Sequence, residues 1–179
     1  MIDKHFTTEY LLIKKLAPTD TSFIQELVNS EGWLTYIGDR NIHTTEDALS
    51  YINKTMANEH MCFWVVLLKE KHIPIGLISL IQRDYLPHSD IGFAFLPDYA
   101  GKGYAFEATY SVLHYLINLP KYATLLATTL LDNTRSINLL KRLGFNLKNE
   151  ILVDTEKLNL FEITSDDFGM DELYRYYFE

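Results

Sequence analysis

The sequence has only one cysteine, Cys62, among its 179 residues. A single thiol excludes an internal disulfide framework and any zinc site built from several cysteines. Basic residues are also scarce, because 16 lysines and arginines stand against 24 acidic residues and leave a net charge of −8. Phosphate backbones and anionic membranes need a cationic surface, so we expect neither nucleic acid nor membrane as a partner. The acidic balance suits a basic partner, although solubility alone would explain it.

Long apolar runs are missing as well. No stretch reaches about 18 consecutive apolar residues, and the first residues contain Asp3 where a signal peptide would have an apolar segment. The six histidines show no spacing typical of metal ligands, and the pattern around Cys62 indicates a buried, inert thiol. Because the sequence has no linker or repeat, it predicts one domain, residues 1–179. The missing apolar segments predict a cytoplasmic protein, and the histidine and cysteine patterns predict that it binds no metal.

The first half of the chain contains both helical and β-rich segments. Residues 8–16 predict a first strand, and apolar residues follow at helical spacing over 20–28 and 44–56. Three β-rich runs separated by polar turns then predict an antiparallel meander. These runs are residues 62–68, 73–82 and 90–96.

The second half adds a parallel crossover. Its segments are a long helix from Tyr104, a nearly apolar strand at 122–131, a helix from Asn133 to Leu143 that ends at Gly144, and strands at 145–153 and 158–164. A strand, a glycine loop, a helix and a second strand form a βαβ unit. We therefore predict an α/β (α+β) fold with a mixed, mostly antiparallel sheet of about seven strands and about four helices.

Two glycines enclose a lysine immediately before the long helix, and this pattern can bind an anion. The amide groups at a helix start lack partners within the helix, and glycine lets the backbone approach a phosphate closely. The residues concerned are Gly101, Lys102, Gly103, Tyr104 and Ala105. A plain strand-to-helix turn is the alternative. The chain has no P-loop run, and Phe106 replaces the third small residue of a dinucleotide loop, so a pyrophosphate ligand fits better than NAD.

Several motifs, in order along the chain, resemble the GNAT family of N-acetyltransferases. Those similar to the family's acetyl-CoA-binding core and second conserved block are residues 90–97, 101–105, 107–108, 133–136 and 141–145. Residues 11–16 and 42–48 are similar to the branch that contains ribosomal-protein N-terminal acetyltransferases. The resemblance covers roughly residues 8–165 and implies a GNAT-like acyl-CoA N-acyltransferase fold. It also implies acetyl-CoA as the cosubstrate, with no metal.

The chain departs from the family pattern at two positions. Asp98 stands where the family carries glutamine or arginine. Leu140 stands where many members carry a tyrosine that acts as an acid toward the CoA thiolate. Acid catalysis by a tyrosine at that position is therefore excluded.

The resemblance also implies a place for the coenzyme. Its pyrophosphate would bind the amides of residues 101–105, and Asn133 would contact the pantetheine arm. The arm would pair, through backbone groups, with Phe93, Ala94 and Phe95 like an added β-strand. One of these strand amides would stabilise the tetrahedral oxyanion.

Two proton transfers need side chains or solvent, because the incoming amine must be neutral and the leaving thiolate benefits from a proton. The resemblance implies Ser136 as the group that protonates or hydrogen-bonds the thiolate, and Asp90 as a base that acts through water. A helix first-turn serine and a strand-end acid bonding the meander turn are the alternatives. Glu150 is a further candidate base.

The acceptor pocket of such a fold would involve Trp33 and Tyr36, although Trp33 could equally pack the loop. A lysine amine with a reference pKa of ~10.4 is almost wholly protonated near neutral pH, whereas an α-amine at ~7.7–8.0 is partly neutral. Because the case for a dedicated base is weak, an α-amine is favoured. The aromatic residues 174–178 could cap the sheet, form a homodimer contact or dock as a tail, and sheet capping is favoured.

These expectations together describe an N-acetyltransferase acting on a primary amine, with a protein N-terminus as the first choice of acceptor. The alternative within the same class is a small-molecule amine, such as a polyamine or an aminoglycoside-like compound. The alternative of another class is a non-catalytic CoA-binding sensor, which Leu140 leaves open.

Overall fold

The structure, a computed structural model, describes residues 4–168. Within this range eight strands form one sheet, namely β1 (Phe6–Thr7), β2 (Leu11–Lys15), β3 (Met61–Leu68), β4 (Pro74–Ile81), β5 (Asp90–Phe95), β6 (Thr124–Leu130), β7 (Asn146–Val153) and β8 (Glu156–Thr164). The same range contains five α-helices, namely α1 (Thr21–Val28), α2 (Glu31–Tyr36), α3 (Thr45–Ala57), α4 (Tyr104–Ile117) and α5 (Thr134–Arg142). None of these helices is both long enough and apolar enough to cross a membrane.

The strands are arranged in the order β1-β2-β3-β4-β5-β6-β8-β7. Every neighbouring pair is antiparallel except β5 and β6, which are parallel and are joined through α4. The predicted meander of β3, β4 and β5 and the predicted central βαβ unit are both confirmed. The fold class, a mixed and mostly antiparallel sheet flanked by helices, is confirmed with them.

The structure has one strand and one helix more than the sequence analysis predicted. Strand β1 has two residues, which pair with Ile13 and Leu12, and such a short segment shows no alternation in the sequence. The extra helix is α2, where the sequence analysis treated Gly32 as a break. Gly32 instead occupies the first turn of α2, and the buried Trp33 beside it anchors that helix to the core.

The hydrophobic core lies on both faces of the sheet. Strand β3 shows the reason, because its alternate residues point to opposite faces. Trp64 belongs to the cluster under α4 and α5, whereas Phe63 and Val65 belong to the cluster under α1, α2 and α3. The central strands are therefore apolar on both faces, and the polar side chains at their ends are exceptions to this pattern.

Local signals fix the ends of two helices near the site. Thr44 accepts a hydrogen bond from the Asp47 amide, and the Asp47 carboxylate accepts one from the Thr44 amide, which is the capping box of α3. Helix α5 ends at Gly144, which has a φ of +93°. The Gly144 and Phe145 amides bond to the Lys141 and Leu140 carbonyls, as a Schellman motif requires.

Strands β5 and β6 are neighbours over very little of their length. Strand β5 pairs with β4 from Asp90 to Phe95, but its only partner position on β6 is Leu126, opposite Asp90. The Leu126 amide donates to the Ser89 carbonyl at 2.9 Å at this junction. Strand β6 pairs throughout with β8 on its other edge. The two parallel strands therefore separate beyond Asp90 and open a gap within the sheet.

Candidate active site

A cleft of about 1420 Å³ lies at this gap. Strand β5 and residues 127–130 of β6 line it. Side chains of β3, β4, α2 and α3 line one part of it, and the start of α4, α5 and the β7–β8 turn line the rest. The cleft therefore connects the two helical layers through the opening in the sheet.

The open edge of β5 supplies the first feature of the cleft. One edge of this strand is satisfied by β4, whereas the other edge pairs only at Asp90 within the described residues. Backbone groups beyond that point need partners from elsewhere. Phe93, Ala94 and Phe95 all line the cleft and are partly buried. This segment can accept an extended chain as an additional strand.

The loop of residues 101–105, here called the glycine loop, supplies the second feature. Gly101 and Gly103 have φ values of +74° and +87°, a conformation that L side chains rarely adopt. No atom lies within 4 Å of a Cβ built on either residue, so both positions are open. Gly103 is the N-cap of α4, and no side chain caps that helix. Within residues 4–168, no group accepts a hydrogen bond from the amides of the glycine loop, so these donors can bind an anion.

The side chains of the glycine loop are placed unequally. Gly101, Gly103 and Ala105 line the cleft, whereas Lys102 and Tyr104 do not. The Lys102 ammonium lies 5.4 Å from the centre of the Tyr99 ring, and Lys102 is exposed. Lys102 therefore contributes charge at the rim, and its backbone contributes the amide.

Two arginines of α5 line the cleft and were not singled out from the sequence. Arg135 and Arg142 are seven residues apart, so they share one face of the helix. The Arg142 guanidinium lies 4.7 Å from the centre of the Phe106 ring, in the first turn of α4. It places positive charge beside the open amides. The seven-residue spacing was the signal that could have identified both arginines.

Asn133 and Ser136 come together at the start of α5. The Asn133 Oδ1 accepts a hydrogen bond from the Ser136 amide at 3.1 Å, so Asn133 is the N-cap of the helix. Both residues line the cleft. The Asn133 amide nitrogen keeps its two donors, and the Ser136 hydroxyl keeps its donor. The pair can therefore present hydrogen-bond donors to a ligand between β5 and β6.

Asp90 is held in a buried ion pair. Its side chain is 4% exposed, and it accepts a hydrogen bond from the Arg83 guanidinium in the β4–β5 connection. The Thr128 hydroxyl donates to the same carboxylate oxygen at 3.5 Å. Burial raises the pKa of the Asp90 carboxyl, and the Arg83 charge opposes that rise. This arrangement corresponds to the strand-end acid that the sequence analysis kept as the alternative to a base.

The remaining candidates are spread over different environments. Glu150 is exposed on the edge strand β7 and does not line the cleft. Leu140 is buried and apolar at the cleft wall. Trp33 is 6% exposed and Tyr36 is 39% exposed, and both line the cleft. The aromatic segment 174–178 lies outside the described residues.

Within residues 4–168, no three metal-binding side chains form a group that could hold a metal ion.

A family model described as "Acetyltransferase (GNAT) domain" matches residues 10–146. The chain belongs to the GNAT acetyltransferase family. It is accordingly an acyl-CoA-dependent acetyltransferase, and its acceptor is an amine. The family that the sequence motifs resemble is therefore confirmed, and the GNAT fold is one that binds CoA or acetyl-CoA.

The chain is also similar to individual proteins. YnaD of Bacillus subtilis (strain 168), an uncharacterized N-acetyltransferase, is 30% identical over 141 residues, which are 78% of this chain and 81% of the relative. A GNAT acetyltransferase structure from Bacillus anthracis is 25% identical, with a TM-score of 0.77 and coverage of 91% and 99%. A spermidine N-acetyltransferase from Vibrio cholerae, in complex with CoA and spermine, is 18% identical, with a TM-score of 0.75 and coverage of 89% and 98%.

Proposed function

We propose that this enzyme transfers the acetyl group of acetyl-CoA to the α-amine of a peptide or protein N-terminus by direct attack, without a covalent enzyme intermediate. The observation that carries the proposal is the combination of an unpaired β5 edge with an uncapped helix start in one cleft. An extended amide-containing arm that ends in a diphosphate matches these two features together.

The residues present fit acetyl-CoA on physical grounds. The glycine loop offers amide donors and open space where a Cβ would otherwise stand. Arg142 adds positive charge beside these amides, and the spacing of Arg135 places a second cation on the same helix face. A diphosphate needs both donors and cations, so this end of the cleft suits the phosphates of the coenzyme.

The middle of the cleft suits the pantetheine arm and the thioester. Backbone groups of Phe93, Ala94 and Phe95 bind and orient the arm along the strand, and the Asn133 amide group donates to it. Acetyl-CoA supplies an activated acyl group. A β5 amide donates a hydrogen bond to the acyl oxygen as negative charge develops there.

Ser136 is the proposed donor to the departing thiolate. It lines the cleft one helical turn after the N-cap, and its hydroxyl can donate while its amide remains bonded to Asn133. The buried, apolar Leu140 offers no such donor at the neighbouring wall. Ser136 therefore takes the role that a tyrosine at position 140 has in many members of the family.

The ion pair of Asp90 with Arg83 argues for an acceptor that needs no strong base. Burial raises the pKa of the Asp90 carboxyl, but this carboxylate is 4% exposed and already bonded to Arg83 and Thr128, so an incoming amine has little access to it as a base. An α-amine, whose reference pKa is ~7.7–8.0, is partly neutral without assistance. An N-terminal α-amine is therefore favoured over a lysine side chain as the acceptor.

Two measurements test the proposed function. Calorimetry with CoA measures binding at the cleft, and acceptor-dependent release of the free thiol from acetyl-CoA measures transfer to a panel of peptides and amines. We expect micromolar binding, as is usual for cosubstrates, and thiol release that requires an acceptor with a free α-amine. Coenzyme binding without release for any acceptor would support the CoA-binding sensor and contradict the enzyme proposal.

The predicted cytoplasmic location is part of the same proposal. Mass spectrometry of protein N-termini from cells with and without the gene is the corresponding test in vivo. Loss of N-terminal acetylation from a defined set of cytoplasmic proteins is expected. An unchanged set of acetylated N-termini would contradict a protein acceptor.

A further inference from the structure

One wall of the cleft carries charged side chains of a single sign. Arg40 follows α2, Lys54 lies in the last turn of α3, and both are exposed and line the cleft. No acidic residue of these two helices lines it. Neither cation forms a salt bridge with any residue in the range 4–168. Their guanidinium and ammonium groups therefore keep donors for a ligand.

Tyr51 links the two cations. Burial raises the pKa of the Tyr51 hydroxyl, and the positive charge of the nearby Arg40 opposes that rise. Lys54 is three residues after Tyr51, so both side chains lie on the same face of α3. Arg40, Tyr51 and Lys54 therefore line the same wall of the cleft.

The sheet register places this wall at the Asp90 end of the cleft. The end of α3 leads through Asn58 into Met61, whose amide bonds to the Asn58 carbonyl at 3.1 Å. Met61 pairs with Ile81, and Ile81 pairs with Asp90. From Asp90 to Phe95, strand β5 extends about 17 Å toward the glycine loop. The two cations are therefore distant from the amides proposed to bind the phosphates of the coenzyme.

The other charged groups at this end are neutralised or lie on another side. Arg83 and Asp90 are paired with each other. Asp154 in the β7–β8 turn and Glu156 at the start of β8 are exposed and line the cleft from the opposite part of the sheet. Burial raises the pKa of the neighbouring Tyr85 hydroxyl, and the Asp90 and Asp154 carboxylates add to that rise. The acceptor end thus has a cationic wall and an acidic turn.

We propose that the acceptor carries an anionic group close to its amine, and that Arg40 and Lys54 bind this group. The proposal rests on the acetyl transfer proposed above and specifies its acceptor class as an α-amine with a carboxylate. A carboxylate can accept two parallel hydrogen bonds from a guanidinium, and it balances both charges. The ammonium form of the acceptor can approach on the side of Asp154 and Glu156.

The two cations Arg40 and Lys54 disfavour polycations as acceptors. A polyamine or an aminoglycoside-like compound has no group that Arg40 and Lys54 can bind, and its positive charges would be repelled by them. The spermidine N-acetyltransferase from Vibrio cholerae shares only the fold with this chain, at 18% identity, so its acceptor does not carry over. The charges of the wall select the acceptor in this chain.

Matched acceptors test the proposal in the thiol-release assay. Two amidated tripeptides that differ only in glutamate or glutamine at the second residue report the effect of a side-chain carboxylate. Free glutamate reports a carboxylate on the amine-bearing carbon, and spermidine reports a polycation. We expect kcat/KM for the better of the two acidic acceptors to exceed that of the glutamine peptide and of spermidine by about tenfold or more.

Variants of Arg40 and Lys54 then test whether these two residues cause the preference for an acidic acceptor. In the double variant Arg40→Gln with Lys54→Gln, the preference for the acidic acceptor should disappear through a higher KM, while the KM for acetyl-CoA is unchanged. Lys71→Gln removes one charge from the exposed β3–β4 turn, outside the cleft, and is the control that should retain the preference. An unchanged preference in the double variant would overturn the proposal.

The outcomes separate this proposal from the acetyl transfer on which it rests. If neither the glutamate peptide nor free glutamate is turned over faster than the glutamine peptide, or if spermidine is turned over faster than both, the anionic acceptor is overturned and acetyl transfer is left intact. If CoA binds and no acceptor is acetylated, acetyl transfer fails. Calorimetry with CoA and the Nα-acetylated glutamate and glutamine peptides then still measures recognition, and equal affinity for the two would overturn the anionic site.

Discussion

The Arg83 guanidinium donates a hydrogen bond to the buried Asp90 carboxylate at the point where β5 leaves β6. This ion pair joins the β4–β5 connection to the base of the cleft, and Thr128 of β6 donates to the same carboxylate. The pair thereby connects the two strands whose separation forms the site. Its first role in this structure is to hold that junction together.

The Arg83–Asp90 pair leads to a prediction for stability. Arg83→Gln leaves a buried carboxylate without its charged partner, and we expect the free energy of unfolding to fall by about 2 kcal/mol. Combining it with Asp90→Asn should cost less than the sum of the two single changes, because two neutral amides can bond to each other. Urea unfolding of the four proteins measures this coupling, and strict additivity would contradict it.

The pKa of Asp90 leads to a prediction for pH dependence. Because burial raises this pKa in the folded state, the folded protein binds the proton more tightly than the unfolded chain. The free energy of unfolding should therefore fall as the pH rises from about 4 through the folded pKa. Asp90→Asn should remove this slope.

Asp47 provides the opposite case in the same experiment. Hydrogen bonds from Thr44 and His43 lower the pKa of the Asp47 carboxyl. Its contribution is present above the unfolded pKa and is lost as the pH falls through the folded value. Asp47→Asn should therefore change the pH dependence with the opposite sign, and a shift of the same sign in both variants would contradict the assignment.

Substitutions at glycines with positive φ can separate an effect on stability from an effect on coenzyme affinity. Gly103→Ala forces a side chain into a backbone conformation with positive φ, at a cost of about 1 to 2 kcal/mol. Its methyl group would also occupy the open space proposed for the diphosphate, so the Kd for CoA should rise at least about tenfold.

Gly38→Ala is the matched control for the glycine loop. Gly38 has a φ of +96° and equally open surroundings, but it does not line the cleft. We expect a similar loss of stability with an unchanged Kd for CoA. A parallel loss of affinity in both variants would show that strain, and not the position of the loop, weakens binding.

Ser136 predicts a change in kcat without a change in coenzyme binding. Ser136→Ala removes the hydroxyl proposed to protonate the thiolate but leaves the backbone bond to Asn133 intact. General acid catalysis contributes about 10²- to 10⁴-fold, so kcat should fall by at least about 10²-fold in steady-state measurements. Ser50→Ala, an exposed serine of α3, is the control. An unchanged single-turnover rate for Ser136→Ala would remove this residue from the mechanism.

The two roles of Asn133, capping α5 and contacting the coenzyme, can be tested separately. Asn133→Asp keeps an oxygen to accept from the Ser136 amide, and Asn133→Ala removes it at a cost of about 1 kcal/mol. Only the aspartate variant should retain the melting temperature of the unmodified protein. Both variants should have a higher KM for acetyl-CoA, because both lack the amide donor. Full coenzyme affinity in Asn133→Asp would contradict the contact.

Sequence reasoning worked best where the signal was local or the interacting residues followed a period. The meander, the βαβ unit and the start of α4 at Tyr104 were all predicted, because apolar period and glycine position act within a few residues. The short strand β1 and helix α2 were missed for the same reason, since two and six residues carry too little pattern. Gly32 signalled a break that the burial of Trp33 overrides.

Within the candidate site, the sequence by itself determined the parts built from consecutive residues. The glycine loop, the N-cap Asn133 and the first-turn Ser136 follow from residue types at fixed spacing, because backbone conformation and helix-end hydrogen bonds are local. The replacement of a tyrosine by Leu140 likewise follows from residue type alone. These are the features proposed to bind the coenzyme.

The tertiary structure alone decided the arrangement of the proposed acceptor end. The pairing of Arg83 with Asp90 and the placing of Arg40 and Lys54 on one wall depend on how α2, α3 and the β4–β5 connection pack around the sheet. A negative total charge even suggested a basic partner, whereas one wall of the cleft presents two exposed cations. Net charge sums over the whole surface, but recognition depends on the few charges that packing brings to one place.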